Sequence, residues 1–503
     1  LNPFGLQHVA VFMSSFLRNS AFRQAFKIAG LCAGGGLPKV AFCQPVVTGM
    51  PSQEHEQRRI AMGHFLNELD LSCRCPDEKR KFIERGAKRI LGKLFATLTE
   101  QKPKLAGHLI GTGSFFEGTA VITEKGTFDL DFLWELRIGS DIEGSGPALC
   151  LTQGKDILKL NGSDFLVLME PSSTDHQPIN MRSLRDGFAQ AVFEALQVAD
   201  VQNEEGWTVK AAGTTTHPVG LVKLQISWTG DGSSLTVDVD ISPAVRCRCW
   251  DAIGPNALGP EPRNSLVMSR LAECRKQGFH VLPDLPSVSI GNHSPKVAVM
   301  NNCMVRCNAP LCEQTLLGGP GDNGAKKAYR LLKILRDTYL YGDEKHGATV
   351  PLRSVHPGLA DAAELLMPQI AFDHGQISHQ PSESLADELE VSSDTAEEFP
   401  ASFVLKQLVF AEMFETSQWG DEDLADRLSG MLIRLRDSIS DTGVWFFWEK
   451  LLFRPSNGEY EKGGMSFPAE VDPQMLPRLD NLISLLSSAP VETFSPALKL
   501  SRL

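Results

Sequence analysis

The sequence contains no run approaching ~18 uninterrupted apolar residues, which excludes a membrane-spanning helix. It contains no internal repeat of fixed period, so nothing points to a repeat architecture. An excess of positive charge is lacking too. Against 49 Lys and Arg stand 61 Asp and Glu, a net charge of −12, which rules out a protein coated in positive charge but permits a local basic strip. Residues 1–53 hold neither Asp nor Glu, and the first acid is Glu54. With Arg18, Arg23, Lys27 and Lys39 among several serines, this stretch reads as a disordered or targeting-like leader and is set aside from the fold. The 11 cysteines are odd in number and scattered, which points to reduced thiols in a cytoplasmic protein. Mitochondrial targeting by the acid-free leader is the alternative.

What is present is ordinary for a globular chain. Hydrophobic residues make up 42% and charged residues 22% of 503, enough for a large core and for two or three domains. From Glu54 to about Lys104 the pattern is helical, with Phe82 or Ile83, Ala87, Ile90 or Leu91, Leu94 and Leu98 at steps of three and four. Pro76, Asp77 and Glu78 mark a helix start. The opposite face carries Lys79, Lys81, Arg85, Lys88 and Arg89, which is either a solvated face or a phosphate-contacting surface. From Gly107 to Pro286 strands and turns alternate. Ala120–Ile122, Phe128–Leu136, Phe165–Met169, Leu221–Trp228 and Leu235–Ile241 read as strands, and Met181–Leu196 as a helix. After Asn301 helices dominate, notably Ala325–Tyr339 and Asp421–Ile439. Between these lies a solvated acidic insertion at 373–400, with seven acids and no base over Glu383–Glu398.

Two segments carry chemistry. Gly113 and Ser114 form a turn whose backbone N–H groups and hydroxyl can approach phosphate oxygens closely. Some fifteen residues on, Asp129 and Asp131 sit two apart on an expected strand, so both carboxylates project to one face. Paired carboxylates repel unless a cation lies between them, and Mg²⁺ favours one or two carboxylates with substrate phosphates. A third acid is supplied by Leu235–Ile241, where Asp238 and Asp240 again share a face. Asp129, Asp131 and Asp240 together suit metal-dependent phosphoryl transfer.

These pieces resemble the nucleotidyltransferases similar to cyclic GMP–AMP synthase (cGAS), in the male-abnormal (Mab-21-like) family. The resemblance runs from Glu54 to Phe453. It includes Gly113–Gly118, Phe128–Phe132, Val239–Ala244, Phe279–Pro283, Arg306 through Glu313, Tyr329–Lys333 and the aromatic-rich Trp445–Phe453. It implies an α+β, two-lobed fold of the polymerase-β superfamily. A spine helix and nucleotidyltransferase core with a mixed twisted sheet would span 54–300. A helical C-terminal lobe (HhH/H2TH-like) would span 301–490, and 491–503 would be a tail.

By the same resemblance, Gly113 and Ser114 would cradle a triphosphate and the three aspartates would bind Mg²⁺ or Mn²⁺. Arg306, Asn308 and Glu313 would contact a base or ribose, Lys333 the phosphates, and Ser354 would stand in a Ser-Tyr pair whose aromatic is here Val355. The basic helix would be the surface that docks double-stranded RNA or DNA. The implied activity joins ATP, GTP or other nucleoside triphosphates into a cyclic dinucleotide of innate immune signalling. The alternative is a catalytically inactive nucleotide-binding or scaffold protein, which the missing aromatic favours, as does Thr127 if it aligns with the first acid of relatives that have Glu-x-Asp. An RNA-tailing polymerase shares the acids but not the pieces after Asp240. No zinc is expected. Gly318–Gly324 replaces the zinc module of the vertebrate DNA sensor, and Cys303, Cys307 and Cys312 with His293 are poorly spaced for a finger.

Overall fold

The computed structural model describes residues 53–121, 128–137, 149–152, 165–168, 179–198, 203–212, 221–230, 233–247, 264–283, 305–318, 323–340, 402–440, 444–445, 464–465 and 475–488. All belong to a unit spanning Gln53–Leu503. The leader up to Ser52, the acidic insertion and the tail lie outside the described residues.

Two long helices open the unit, α1 (Gln53–Cys73) and α2 (Asp77–Gln101). Pro76 stands at the N-cap of α2, and Asp77 and Glu78 in its first turn complement the helix dipole. The expected stripe is buried: Ile83, Ala87, Ile90, Leu91, Leu94 and Leu98. Gly86 continues it because Trp207 packs against its backbone. A Cβ at that position would stand 2.1 Å from the indole.

The main sheet follows. Strand β1 (Gly107–Thr112) runs into a five-residue helix α3 (Gly113–Glu117), and β2 (Phe128–Leu136) pairs antiparallel with β1. A separate hairpin is formed by β3 (Leu149–Thr152) and β4 (Phe165–Leu168). Helix α4 (Met181–Leu196) starts on Asn180, whose side chain accepts the Ser183 N–H. Then come β5 (Asn203–Glu204), β6 (Trp207–Ala211), β7 (Val222–Gly230) and the 15-residue β8 (Ser233–Cys247). The strand order is β1-β2-β8-β7-β6-β5, with β2 and β8 parallel, so the sheet is mixed. The C-terminal end of β8 leaves β7 and pairs instead with β9 (Phe279–Pro283), which follows α5 (Ser265–Gln277).

Beyond β9 lies β10 (Val305–Asn308), then α6 (Pro310–Leu316), α7 (Gly324–Leu335), α8 (Ser402–Glu415) and α9 (Leu424–Ser440). Helix α7 passes into a π-helical turn at Arg336–Leu340, and α9 is preceded by a 3₁₀ turn at Asp421–Asp423. A two-stranded piece, β11 (Val444–Trp445) with β12 (Gly464–Met465), and α10 (Met475–Ser488) complete the described elements.

The apolar side chains form two main cores. One joins α2, α3 and α4 to the face of β2, β6, β7 and β8 that buries Phe132, Val239 and Ile226. The other joins α1 to the helices from α5 onward, around Tyr329, Phe410 and Leu428. Of the expected strand Ala120–Ile122, Val121 forms a bridge with Arg74, and Ile122 lies outside the described residues. The partner of Val121 is the short α1–α2 junction, which is too brief to carry a ladder.

Candidate active site

The site begins at the end of β1. Thr112 faces Asp131 in the antiparallel register, and its hydroxyl donates to the Asp131 carbonyl at 3.2 Å. The chain then turns sharply, with Gly113 at φ +72°. A Cβ on Gly113 would lie 2.0 Å from Asp131 Oδ2, so only glycine lets this backbone pass the carboxylate. Helix α3 buries Phe115 and Glu117 and ends on Gly118 in the left-handed region. Behind it the Thr119 N–H and hydroxyl both donate to the Ser114 carbonyl, at 2.8 and 3.3 Å.

The acids come from two adjacent parallel strands. The register pairs Asp129 with Asp238 and Asp131 with Asp240. Alternation along β2 buries Phe128, Leu130 and Phe132 in the core and turns Asp129 and Asp131 to the other face. On β8, Val237, Val239 and Ile241 are buried while Asp238 and Asp240 take the aspartates' side. Neighbouring strands lie ~4.8 Å apart, so four carboxylates occupy one small patch. On β7, Gln225 donates to Asp238 Oδ1 at 3.2 Å, and Lys223 stands opposite Asp240 in register.

The electrostatics follow from this crowding. Burial, then the negative charges of Asp240 and Asp129, push the Asp131 carboxyl up to about 7. Desolvation, then Asp238 and Asp240, raise Asp129 as well. Lys223 and Lys333 oppose the rise at Asp129, and Lys406 opposes it at Asp131. Carboxylates that resist ionising together are relieved by a divalent cation, so the donor set fits one. Among the described residues no three His, Cys, Asp or Glu side chains already converge on a single metal position. Mg²⁺ does not require that, since one or two carboxylates suffice when substrate phosphates fill the remaining positions.

Beside the aspartates lies a buried ionic layer. Lys406 of α8 meets Glu117 Oε1 at 2.7 Å and Glu313 Oε2 at 2.8 Å. Burial disfavours the Lys406 charge, but the two carboxylates outweigh it and raise the ammonium well above its ordinary value. Lys333 of α7 is buried, donates to the Thr119 carbonyl at 3.1 Å and lies 4.5 Å above the Tyr329 ring. One turn earlier, Arg330 makes two bonds to Asp70 of α1, at 2.6 and 2.7 Å, and a third to the Gly118 carbonyl at 2.9 Å.

The structure thus groups Gly113, Ser114, Asp129, Asp131 and Asp240, with Lys333 and Glu313 nearby but turned to protein partners. Arg306 and Asn308 lie on β10, on the far side of β9 from the C-terminal end of β8. Ser354 and Thr127 lie outside the described residues, as do Cys303 and His293. Cys312 is buried, and its thiol donates to the Gly278 carbonyl at 3.4 Å. Lys79, Lys81, Arg85, Lys88 and Arg89 are all exposed on α2. Several have acidic partners: Lys81 with Glu78, Lys88 with Glu84 and Arg89 with Glu205. Lys79 lies over the Phe128 ring and Lys88 over Phe116. Sequence reasoning missed Lys406, Glu117 and Gln314. The one available signal was a lysine inside the apolar run of α8, since a lysine in such a run needs a buried partner.

No family profile and no curated protein matches the chain. Solved structures align with it at low identity. E. coli MS115-1 CdnC with ATP aligns at 13% identity over 88% of this chain and 93% of that one, with a TM-score of 0.35. Vibrio cholerae DncV cyclic AMP-GMP synthase, a prokaryotic cGAS homolog, aligns at 10% over 85% and 91%, with a TM-score of 0.37. MgGTP-bound Cid1 poly(U) polymerase aligns at 12% over 74% and 72%, with a TM-score of 0.25.

Proposed function

We propose that this chain is a cGAS-like nucleotidyltransferase, of the Mab-21-like kind, that joins nucleoside triphosphates into a cyclic dinucleotide. The observation that carries the reading is the parallel register of β2 and β8, which sets Asp131 beside Asp240 directly under the Gly113 turn. In this reading the Gly113–Ser114 turn presents backbone N–H groups and a hydroxyl to the triphosphate. Asp129, Asp131 and Asp240 would hold Mg²⁺ or Mn²⁺, which would supply charge neutralisation at the attacking and leaving oxygens. A ribose hydroxyl attacks the α-phosphorus in line, the bond to the β-phosphate oxygen breaks, and pyrophosphate leaves. Asp240, on the inner strand, orients the hydroxyl and accepts its proton. Lys223, and Lys333 while protonated, add positive charge around the acids. The exposed bases of α2 would dock double-stranded RNA or DNA, and the chain would work in the cytoplasm, where its free thiols stay reduced.

One observation favours a second reading, a nucleotide-binding protein without turnover. Lys333 and Glu313 are both engaged inward, with Thr119 and Lys406, rather than directed at a ligand. A single experiment separates the two. The full chain is incubated with four labelled nucleoside triphosphates and Mg²⁺ or Mn²⁺, with and without double-stranded RNA or DNA, beside Asp129→Ala/Asp131→Ala. A dinucleotide that disappears in the variant supports the enzyme. Nucleotide binding without any product supports the binding protein.

A further inference from the structure

Helix α3 is only five residues long, far too short to hold its own orientation. Its placement therefore comes from its neighbours: Phe115 is buried in the core, and further contacts grip its two ends. At the entrance, Gln314 of α6 donates its side-chain N–H to the Gly111 carbonyl at 2.8 Å. At the exit, Glu117 accepts from Lys406 of α8 at 2.7 Å. The two grips are joined, because Lys406 also bonds Glu313, the residue next to Gln314. The contacts close a ring: Gly111, α3, Glu117, Lys406, Glu313, Gln314, and back to Gly111.

This ring is costly to bury. The Glu117 carboxylate is fully enclosed, and the Lys406 and Glu313 side chains are each 8% exposed. Removing charges from water in this way commonly costs as much as the pairing returns, and an apolar replacement of similar volume is often as stable. What an apolar replacement does not reproduce is direction. An ammonium between two carboxylates fixes where Glu117 stands relative to α6, and hence where Gly113 stands relative to Asp131.

We infer that Lys406 and Gln314 are positioning residues that set the Gly113–Ser114 turn against the aspartates from the helical half of the chain. The inference rests on the proposed nucleotidyltransferase reading for its consequence, but not for its geometry. If the turn shifts, the triphosphate is presented out of line with Asp129, Asp131 and Asp240. A misplacement of ~1 Å costs ~100-fold in rate.

The test uses the full chain and two variants. The first, Glu117→Gln/Glu313→Gln/Lys406→Met, removes the ring's charges at nearly constant volume. The second, Gln314→Met, removes only the entrance grip, from a half-buried position. Amide hydrogen exchange at 113–118 reads the turn directly, and thermal melting reads global stability. We expect melting to stay close to that of the parent while exchange at 113–118 quickens ~5-fold or more. With MnATP and MnGTP as substrates, kcat should fall ~10-fold or more while KM stays within ~3-fold. Unchanged exchange at 113–118 in a folded triple variant overturns the inference. If the triple variant does not fold, Gln314→Met decides, and unchanged exchange there overturns it equally. A parent chain that forms no product sinks the enzymatic reading, yet the exchange result still judges the positioning role.

Discussion

Gly113 and Asp131 are in closest approach across the turn: the carboxylate Oδ2 occupies the space where a side chain on residue 113 would begin, 2.0 Å from the Cβ position. Backbone and acid therefore share one narrow space. Gly113→Ala adds the steric clash to a left-handed φ of +72°, and the two effects act together. It should abolish product formation and lower stability by ~2 kcal/mol, read by urea denaturation. A variant with parental activity would show that the turn does not bear on the chemistry.

Asp131 is held up at about 7 by burial and by Asp240 and Asp129. Its folded value lies above its unfolded one, so its ionisation opposes folding increasingly as pH rises from ~4 through about 7. Asp131→Asn should therefore raise the melting temperature at pH 8 without divalent cation, by ~2 °C. The same variant should lose the stabilisation that MnATP gives the parent. A variant that melts lower at pH 8 would contradict the crowding of these carboxylates.

Lys333 carries the opposite sign. Burial pushes its ammonium down to about 7 from the ordinary 10.5. Between those values the unfolded chain binds more protons, so stability from this site rises with pH across the window. Against Lys333→Met, the parent should gain relative stability from pH 7 to 9, at up to ~1.4 kcal/mol per pH unit. Parallel pH–stability curves for the two proteins would refute a depressed Lys333.

Asp70 and Arg330 form an enclosed bidentate pair, 1% and 3% exposed at the side chain. Removing one partner strands the other charge, so Asp70→Asn and Arg330→Met should each cost ~3 kcal/mol or more. The double variant should lose clearly less than the sum, which a denaturation cycle measures. Strict additivity would mean that the pair is not coupled.

Lys81, Arg85 and Lys88 test the docking surface on α2. If they contact phosphates, reversing all three to Glu should weaken double-stranded RNA or DNA binding and reduce its salt slope by ~3. An unchanged salt dependence removes that role. Glu78 and Glu84 pair with Lys81 and Lys88, and such binding would compete with those pairs.

Much of this arrangement is legible from residue order because it depends on local pattern. Phe128–Phe132 alternates two phenylalanines and a leucine with two aspartates, and it opens a strand that runs to Leu136. Met181–Leu196 reads as a helix and becomes one of the same bounds, with Asn180 found at its N-cap. The acid pairs announce themselves by period two, which places each pair on one face whatever the partner strand. What local pattern cannot convey is the partner. The resemblance implies a base or ribose contact for Glu313, and residue order does not show that Lys406, 93 residues onward, meets it. It implies a phosphate contact for Lys333, and residue order does not show that the ammonium donates to the Thr119 carbonyl. Val121 bridges Arg74 at the α1–α2 junction, a partner that strand composition does not name. Each of these neighbours is distant in sequence.

The parallel pairing of β2 with β8 also governs when the acid patch can exist. Asp131 and Asp240 are 109 residues apart in sequence, and β8 is threaded between β2 and β7. During synthesis the Gly113 turn and the first two aspartates emerge long before their counterparts. A chain that stops short of Ser233 carries the residues of the turn and the first two aspartates but lacks the patch. Because distant pairings form late, the chemistry should switch on as one of the last events of folding.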